Sequence, residues 1–282
     1  MKILHLDSGR EMRGGQWQAL RLHRGLLAAG HESLLLTRKG SPLADMARRE
    51  GLPVGVMGSL WSGFDLVHAH DARSHTRAAL FARIPLVVSR RVAFPVSRSL
   101  VSRWKYSRPR LFIAISRHVA LQLPEGSKAV VVYDGVPVPE EPARGDDILI
   151  PETSDPEKGM SLALASAKLA GINVKRSGDL DRDLTCAKAM IYLTHAEGLG
   201  SGILLAMAHG VTVIASNVGG IPELIRDGEN GILVQNEVNA VAAALQRLDP
   251  KLGAAARDTV VGRFTEARMV SDTIAAYESV LA

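Results

Sequence analysis

Short apolar runs alternate along this chain with stretches whose apolar residues recur at helical spacing. Residues 2–6 (KILHL) read as a first strand, and Trp17, Leu20, Leu22, Leu26 and Leu27 mark a helix that stops at Gly30. His31–Thr37 (HESLLLT) is a second strand, followed by a short helix near Leu43–Glu50 and a strand around Pro53–Met57. Asp65–His70 (DLVHAH) is the next strand, then a helix through Leu80, then strands at Pro85–Ser89, Phe112–Ile115 and Ala129–Tyr133. Strands that alternate with helices imply βα units and a parallel sheet.

The segment Pro137–Asp147 (PVPEEPARGDD) interrupts the pattern and reads as a linker. A second alternation follows: strand Ile148–Ile150, helix Met160–Ala170, strand Asn173–Arg176, helix near Asp181–Lys188 and strand Met190–Leu193. Beyond a glycine-rich loop come a helix over Gly202–His209, strands Val211–Ala215 and Gly231–Val234, and helices from Ala240 and from Thr265. The expected class is α/β: two Rossmann-like parallel-sheet domains, residues 1–140 and 141–264, with a terminal helix over 265–282. In such a pair a ligand is expected in a cleft, outside the carboxyl ends of the strands.

Composition narrows the class. No run of eighteen apolar residues occurs, so no membrane-spanning helix is expected. The N-terminus has only a short apolar run before Asp7 and reads as a strand, not a secretory signal. Cys186 is the single cysteine, which rules out an internal disulfide and fits a reducing cytoplasm. No Cys/His cluster has metal-ligand spacing. The net charge of +5 conceals an asymmetry: residues 1–124 carry 20 Lys and Arg against 7 Asp and Glu, whereas the remainder is acidic. Two domains with different partners, or two lobes that attract one another, would each produce this.

The candidate chemistry centres on Glu197-Gly198-Leu199-Gly200-Ser201-Gly202, continuing to Gly210 and on to Gly219-Gly220-Ile221-Pro222-Glu223. A strand ends, glycines permit close backbone approach, and a helix starts near Ser201, where free N–H groups and the helix dipole suit a phosphate. Ordinary turn chemistry would look the same locally. The string as a whole resembles the donor-binding motif of the retaining GT-B glycosyltransferases of family 4 (glycosyl transferases group 1), approximately E-G-x-G-x-x-x-x-E-A-x-A-x-G-x-P-V followed by G-G-x-x-E. Glu197, Gly198, Gly200, Ala206, Ala208, Gly210, Val213, Gly219, Gly220 and Glu223 fall in place. The likeness is strong over about 190–235 and diffuse elsewhere.

The resemblance implies a GT-B fold and a terminal helix that returns to the N-terminal domain. It also implies retaining, hexosyltransferase-like transfer from a nucleotide-diphosphate sugar such as a UDP sugar, with no bound metal and no other cofactor. Glu197 inherits contact with the donor sugar, and Lys158, in Pro156-Glu157-Lys158-Gly159, contact with the diphosphate. Gly14 and Gly15 match the glycine pair after the first strand. His70 in DLVHAH matches a histidine at a strand's carboxyl end and is expected in the cleft as a catalytic residue beside Glu197, and Arg91 stands about where a further family histidine falls; its planar fork suits a phosphate or an anionic acceptor. Three departures matter. Leu205 occupies the place of the second glutamate, which usually binds ribose. Ile150-Pro151-Glu152 lacks the usual V-G-R arginine. The stretch between Ala170 and Met190 lacks at least one βα unit, so the form is compact.

Arg90–Arg110 interleaves basic residues, among them Arg98, Arg103, Lys105 and Arg108, with Phe94, Trp104 and Tyr106. No nucleic-acid motif accompanies them. An anionic membrane surface at the inner face of a membrane, or an anionic acceptor, is the expected partner; a solvated basic helix is the plain alternative. The expected function is sugar transfer to a glycan or lipid-linked acceptor in cell-envelope synthesis. A non-catalytic sugar-nucleotide-binding relative, or an epimerase or hydrolase on the same fold, remains open because of Leu205.

Overall fold

The computed structural model describes residues 1–58 and 62–282. Two compact units divide the chain: Met1–Gly135 with Glu266–Ala282, and Val136–Thr265. The division falls at Gly135, ahead of the Pro-rich segment read as the linker. Pro137–Asp147 lies within the second unit, where Arg257 donates hydrogen bonds to the carbonyls of Pro139 and Glu140.

The first unit is a seven-stranded parallel sheet. Its chain order is β1 (Lys2–Asp7), α1 (Gly14–Ala28), β2 (Glu32–Thr37), α2 (Pro42–Arg49), β3 (Val54–Val56), β4 (Leu66–Ala69), α3 (Ala72–Phe81), β5 (Leu86–Arg90), α4 (Leu100–Ser107), β6 (Leu111–Ala114), α5 (Arg117–Ala120) and β7 (Ala129–Val131). The strands lie in the order β3-β2-β1-β4-β5-β6-β7. The central strands are apolar runs because both faces are covered; Ile3, Leu4, Leu6, Val67 and Val87 are fully buried. The order reverses between β1 and β4, which makes their carboxyl ends the switch point where such sheets bind ligands.

The second unit runs β8 (Asp147–Pro151), α6 (Met160–Ala170), β9 (Lys175–Ser177), α7 (Leu180–Asp183), β10 (Ala187–Tyr192), α8 (Ser201–Ala208), β11 (Thr212–Ser216), β12 (Ile232–Val234), α9 (Val238–Leu245) and α10 (Pro250–Arg263). Its order is β12-β11-β10-β8-β9, all parallel, with the reversal between β8 and β10. The helix expected near Asp181–Lys188 is only the short α7 and a 3-10 turn, because Ala187 and Ala189 are buried around exposed Lys188 and begin β10.

The last helix, α11 (Glu266–Leu281), packs on α1 of the first unit. Glu266 accepts from Arg21 and Arg24, at 3.2 and 3.0 Å. Gly25 opens the contact: a Cβ there would lie 2.3 Å from Val270. Tyr277 reaches the β-sheet, its hydroxyl 2.6 Å from His68 Nδ1.

Candidate functional site

At the switch point of the second sheet, the loop after β8 carries Lys158 and the loop after β10 carries Glu197. Lys158 Nζ lies 2.8 Å from Glu197 Oε2. The Tyr192 hydroxyl, at the end of β10, donates to the same oxygen at 2.7 Å, and the Gly198 N–H donates to Oε1 at 3.1 Å. The ammonium also stands 5.6 Å from the centre of the Tyr192 ring. Each loop is fixed from below. The Glu197 carbonyl accepts from Gly220 N, and a Cβ on Gly219 would lie 2.0 Å from that carbonyl, so only glycine fits. Gly159 adopts a left-handed φ of +59° against Leu193, and His195 N donates to the Glu157 carbonyl, tying the two loops together.

Gly200, with φ +107°, turns the chain into α8, and no side chain caps that helix. Ser201 and Gly202 are its first residues, both half-buried, with Gly202 beside the Tyr192 ring. The result is a carboxylate, an ammonium and a helix N-terminus at one edge of one sheet, an arrangement able to bind a phosphate and hydrogen-bond a hydroxylated ligand. Leu199, expected among the ligand-binding residues, has a fully buried side chain, so it offers a ligand only backbone. Leu205 is also buried, at 8% exposure, on α8.

At the other switch point, the first sheet places Asp7, Gly14, Gly15 and Arg91. Arg91 Nη1 pairs with Asp134 at 2.6 Å, and a Cβ on Gly15 would lie 3.3 Å from Arg91 Cδ. Asp7 accepts from Gly9 N and Gln16 Nε2, and burial pushes its carboxyl up to about 6, the hydrogen bond from Gly9 opposing. Nothing in the sequence marked Asp134, because its partner Arg91 lies 43 residues away in the chain, and Asp7 reads only as the end of a strand.

His70 departs from expectation. It is a core residue, 4% exposed, with Nε2 hydrogen-bonded to His5 Nδ1 at 2.8 Å and the two rings stacked at 5.1 Å. His68 lies between the Tyr277 and Ser89 hydroxyls. His5, His68 and His70 bring ring nitrogens within 4.8 Å of one another, a grouping that spacing along the chain does not show because β1 and β4 are far apart in sequence. Both His68 nitrogens are taken by hydroxyls, while His5 Nε2 and His70 Nδ1 have no hydrogen-bond partner among the described residues. Burial holds His5 and His70 well below the usual imidazole range and His68 at about 3. His23 is lowered to about 4 and His75 to about 3, again chiefly by burial.

The basic segment forms α4, which buries no residue. Leu100, Val101 and Phe94 are exposed, alongside Leu80 and Phe81 of α3. Arg98, Arg103 and Trp104 are exposed as well. Lys105 and Arg108 are not free cations: they donate to the carbonyls of Ala72 and Ala79 and fasten α4 to α3.

Residues 155–249 match the family model described as Glycosyl transferases group 1. The match takes in both loops and α8. An α-maltose-1-phosphate synthase of Mycolicibacterium smegmatis is 34% identical over 112 residues, 35% of this chain and 29% of that protein. An N-acetyl-α-D-glucosaminyl L-malate synthase of Bacillus anthracis is 35% identical over 105 residues, 35% of this chain and 28% of that one. The chain thus spans less than a third of the length of these curated relatives. The structure of Anabaena HepE in complex with UDP and glucose covers 99% of this chain and 100% of that one at a TM-score of 0.82 and 17% identity. The fold is GT-B.

Proposed function

We propose that this chain is a retaining glycosyltransferase that moves a sugar from a uridine-diphosphate donor to a hydroxyl of a glycan or lipid-linked acceptor in cell-envelope synthesis. The carrying observation is the meeting of Glu197, Lys158 and the uncapped start of α8 at the switch point of the second sheet. Lys158 and the α8 N-terminus would hold the diphosphate and stabilise the charge that develops as it leaves. Glu197 would orient the donor sugar through its hydroxyls. The match over 155–249 and the UDP and glucose bound by HepE support the same ligand class. The reading assigns no role to a metal or further cofactor.

Titration with UDP and with uridine tests the phosphate role. Lys158→Ala is expected to weaken UDP binding tenfold or more, since a hydrogen bond to a charged group is worth about 1.5–3 kcal/mol, while uridine binding stays unchanged. Equal losses on both ligands would place Lys158 in the fold and not at the phosphate.

Leu205 favours a second reading, a protein that binds the sugar nucleotide without turning it over. An apolar side chain there cannot accept from ribose hydroxyls. Under this reading donor binds and persists unchanged.

The proposal extends to location: α4 with the end of α3 rests on an anionic bilayer at its cytoplasmic face. Each Lys or Arg near such a surface contributes about 1 kcal/mol, an attraction that fades within a Debye length of about 10 Å at 0.1 M salt. Exposed Phe94, Leu100, Val101 and Trp104 add a salt-independent part. The protein is expected to sediment with phosphatidylglycerol-containing vesicles and not with neutral ones. Replacing Arg98 and Arg103 by Ser and Trp104 by Ala is expected to remove most of that binding, with UDP binding retained. Lys105 and Arg108 are left intact in this test because they hold α3. Absence of binding to anionic vesicles at low salt would overturn it.

A further inference from the structure

We propose that Tyr192 is a positioning residue that keeps the Glu197 carboxylate aimed while Lys158 leaves it for the donor's diphosphate. The proposal rests on the donor-binding reading above and adds a residue to it. In the structure Glu197 Oε2 carries two donors, the Lys158 ammonium at 2.8 Å and the Tyr192 hydroxyl at 2.7 Å, while Oε1 has the Gly198 N–H. One ammonium faces two anions once a diphosphate arrives, and the doubly charged newcomer draws it away from the carboxylate. Glu197, whose side chain is only 17% exposed, would then lose its strongest partner in a site that admits little water. Tyr192 does not follow the ligand. It ends β10, its ring stands behind Gly202 at the start of α8, and a Cβ on Gly202 would lie 3.3 Å from the Tyr192 ring. The residue is half-buried, and burial together with the neighbouring carboxylate, whose oxygen its hydroxyl touches at 2.7 Å, pushes the phenol well above its usual range. It therefore stays a proton donor at any working pH.

Two consequences distinguish this role from packing. Tyr192 acts on the sugar and not on the diphosphate, and it acts only through the charge on residue 197. The test is calorimetric titration of the full chain with UDP, UDP-glucose and UDP-N-acetylglucosamine, taking the tighter sugar nucleotide as reference. The wild type is expected to prefer the sugar nucleotide to UDP. Tyr192→Phe, which keeps the ring, is expected to hold UDP affinity within about threefold and to lose about tenfold or more of that preference, as for one hydrogen bond to a charged group. Glu197→Gln loses the preference as well, and the double variant is expected to show no further loss. An unchanged preference in Tyr192→Phe, or losses that add in the double variant, would overturn the proposal while leaving the donor reading intact. A wild type that binds none of the three nucleotides removes the donor reading and this proposal together. Melting temperatures taken alongside check that each variant is folded.

Discussion

Acidifying the protein from pH 7 to pH 5 is expected to cost on the order of 8 kcal/mol of unfolding free energy, comparable with the whole stability of a domain. Five imidazoles, His5, His23, His68, His70 and His75, are buried and held neutral in the first unit. Their folded pKa values lie below the unfolded value of about 6.5, so below that pH the unfolded chain binds more protons and stability falls with pH. Each contributes about 1.4 kcal/mol per pH unit from there down toward its folded pKa, about 4 for His23, about 3 for His68 and His75, and well below the usual range for His5 and His70. Asp7 acts in the opposite sense. Its folded pKa, about 6, is raised, so the folded chain takes up that proton first and between about pH 6 and pH 4 offsets roughly one imidazole's worth of the loss. The check is thermal unfolding at a series of pH values. The melting temperature should fall steeply below pH 6.5. His75→Phe, which keeps a ring against Tyr106 and Phe112, should make the slope shallower by one proton. A melting temperature that is flat from pH 7 to pH 5 would mean that these imidazoles are solvated.

Most of the strands rest on features a sequence displays, though their order in each sheet does not. Parallel strands covered on both faces are continuous apolar runs, which is why KILHL, PLVVS and VTVIA stand out, and the glycine string after β10 marks a strand-to-helix turn by itself. What was not legible depends on neighbours that the chain brings together late. His5 sits in an apolar run, and only the pairing of β1 with β4 sets it opposite His68. Tyr192 looks like an ordinary strand residue until the loop after β10 folds Glu197 back onto it. The helix Pro250–Arg263 does not show in the sequence because its contacts are made by small residues: Gly253, Ala256 and Val260 are its buried positions, and a Cβ on Gly253 would lie 2.1 Å from the Gly210 carbonyl. Such close backbone packing leaves no periodic apolar stripe to read. The basic segment was legible in charge but not in function, since only coordinates separate Lys105 and Arg108, bonded to α3 carbonyls, from exposed Arg98 and Arg103.

Glu197→Gln is expected to reduce donor turnover by roughly a hundredfold or more, the scale seen when one preorganised electrostatic contact is removed from a reacting centre. Glutamine keeps the shape and the hydrogen bond that Gly198 makes, but it loses the charge. The sugar hydroxyls then meet a weaker acceptor. Lys158 is released from its partner at 2.8 Å, so binding of bare UDP should hold or tighten. A loss of turnover without a loss of UDP binding separates a role at the sugar from damage to the fold. Unchanged turnover in the folded variant would remove Glu197 from the chemistry.

The most direct measurement incubates wild type and Glu197→Gln with UDP-glucose or UDP-N-acetylglucosamine, alone and with acceptor saccharides. It follows UDP release, and early proton NMR spectra give the anomeric configuration of the first product. The account predicts UDP release by the wild type, an α-configured product from the α-linked donor, and little of either from the variant. Donor that binds but persists unchanged, a donor sugar converted to its epimer, or a β-configured first product would contradict it.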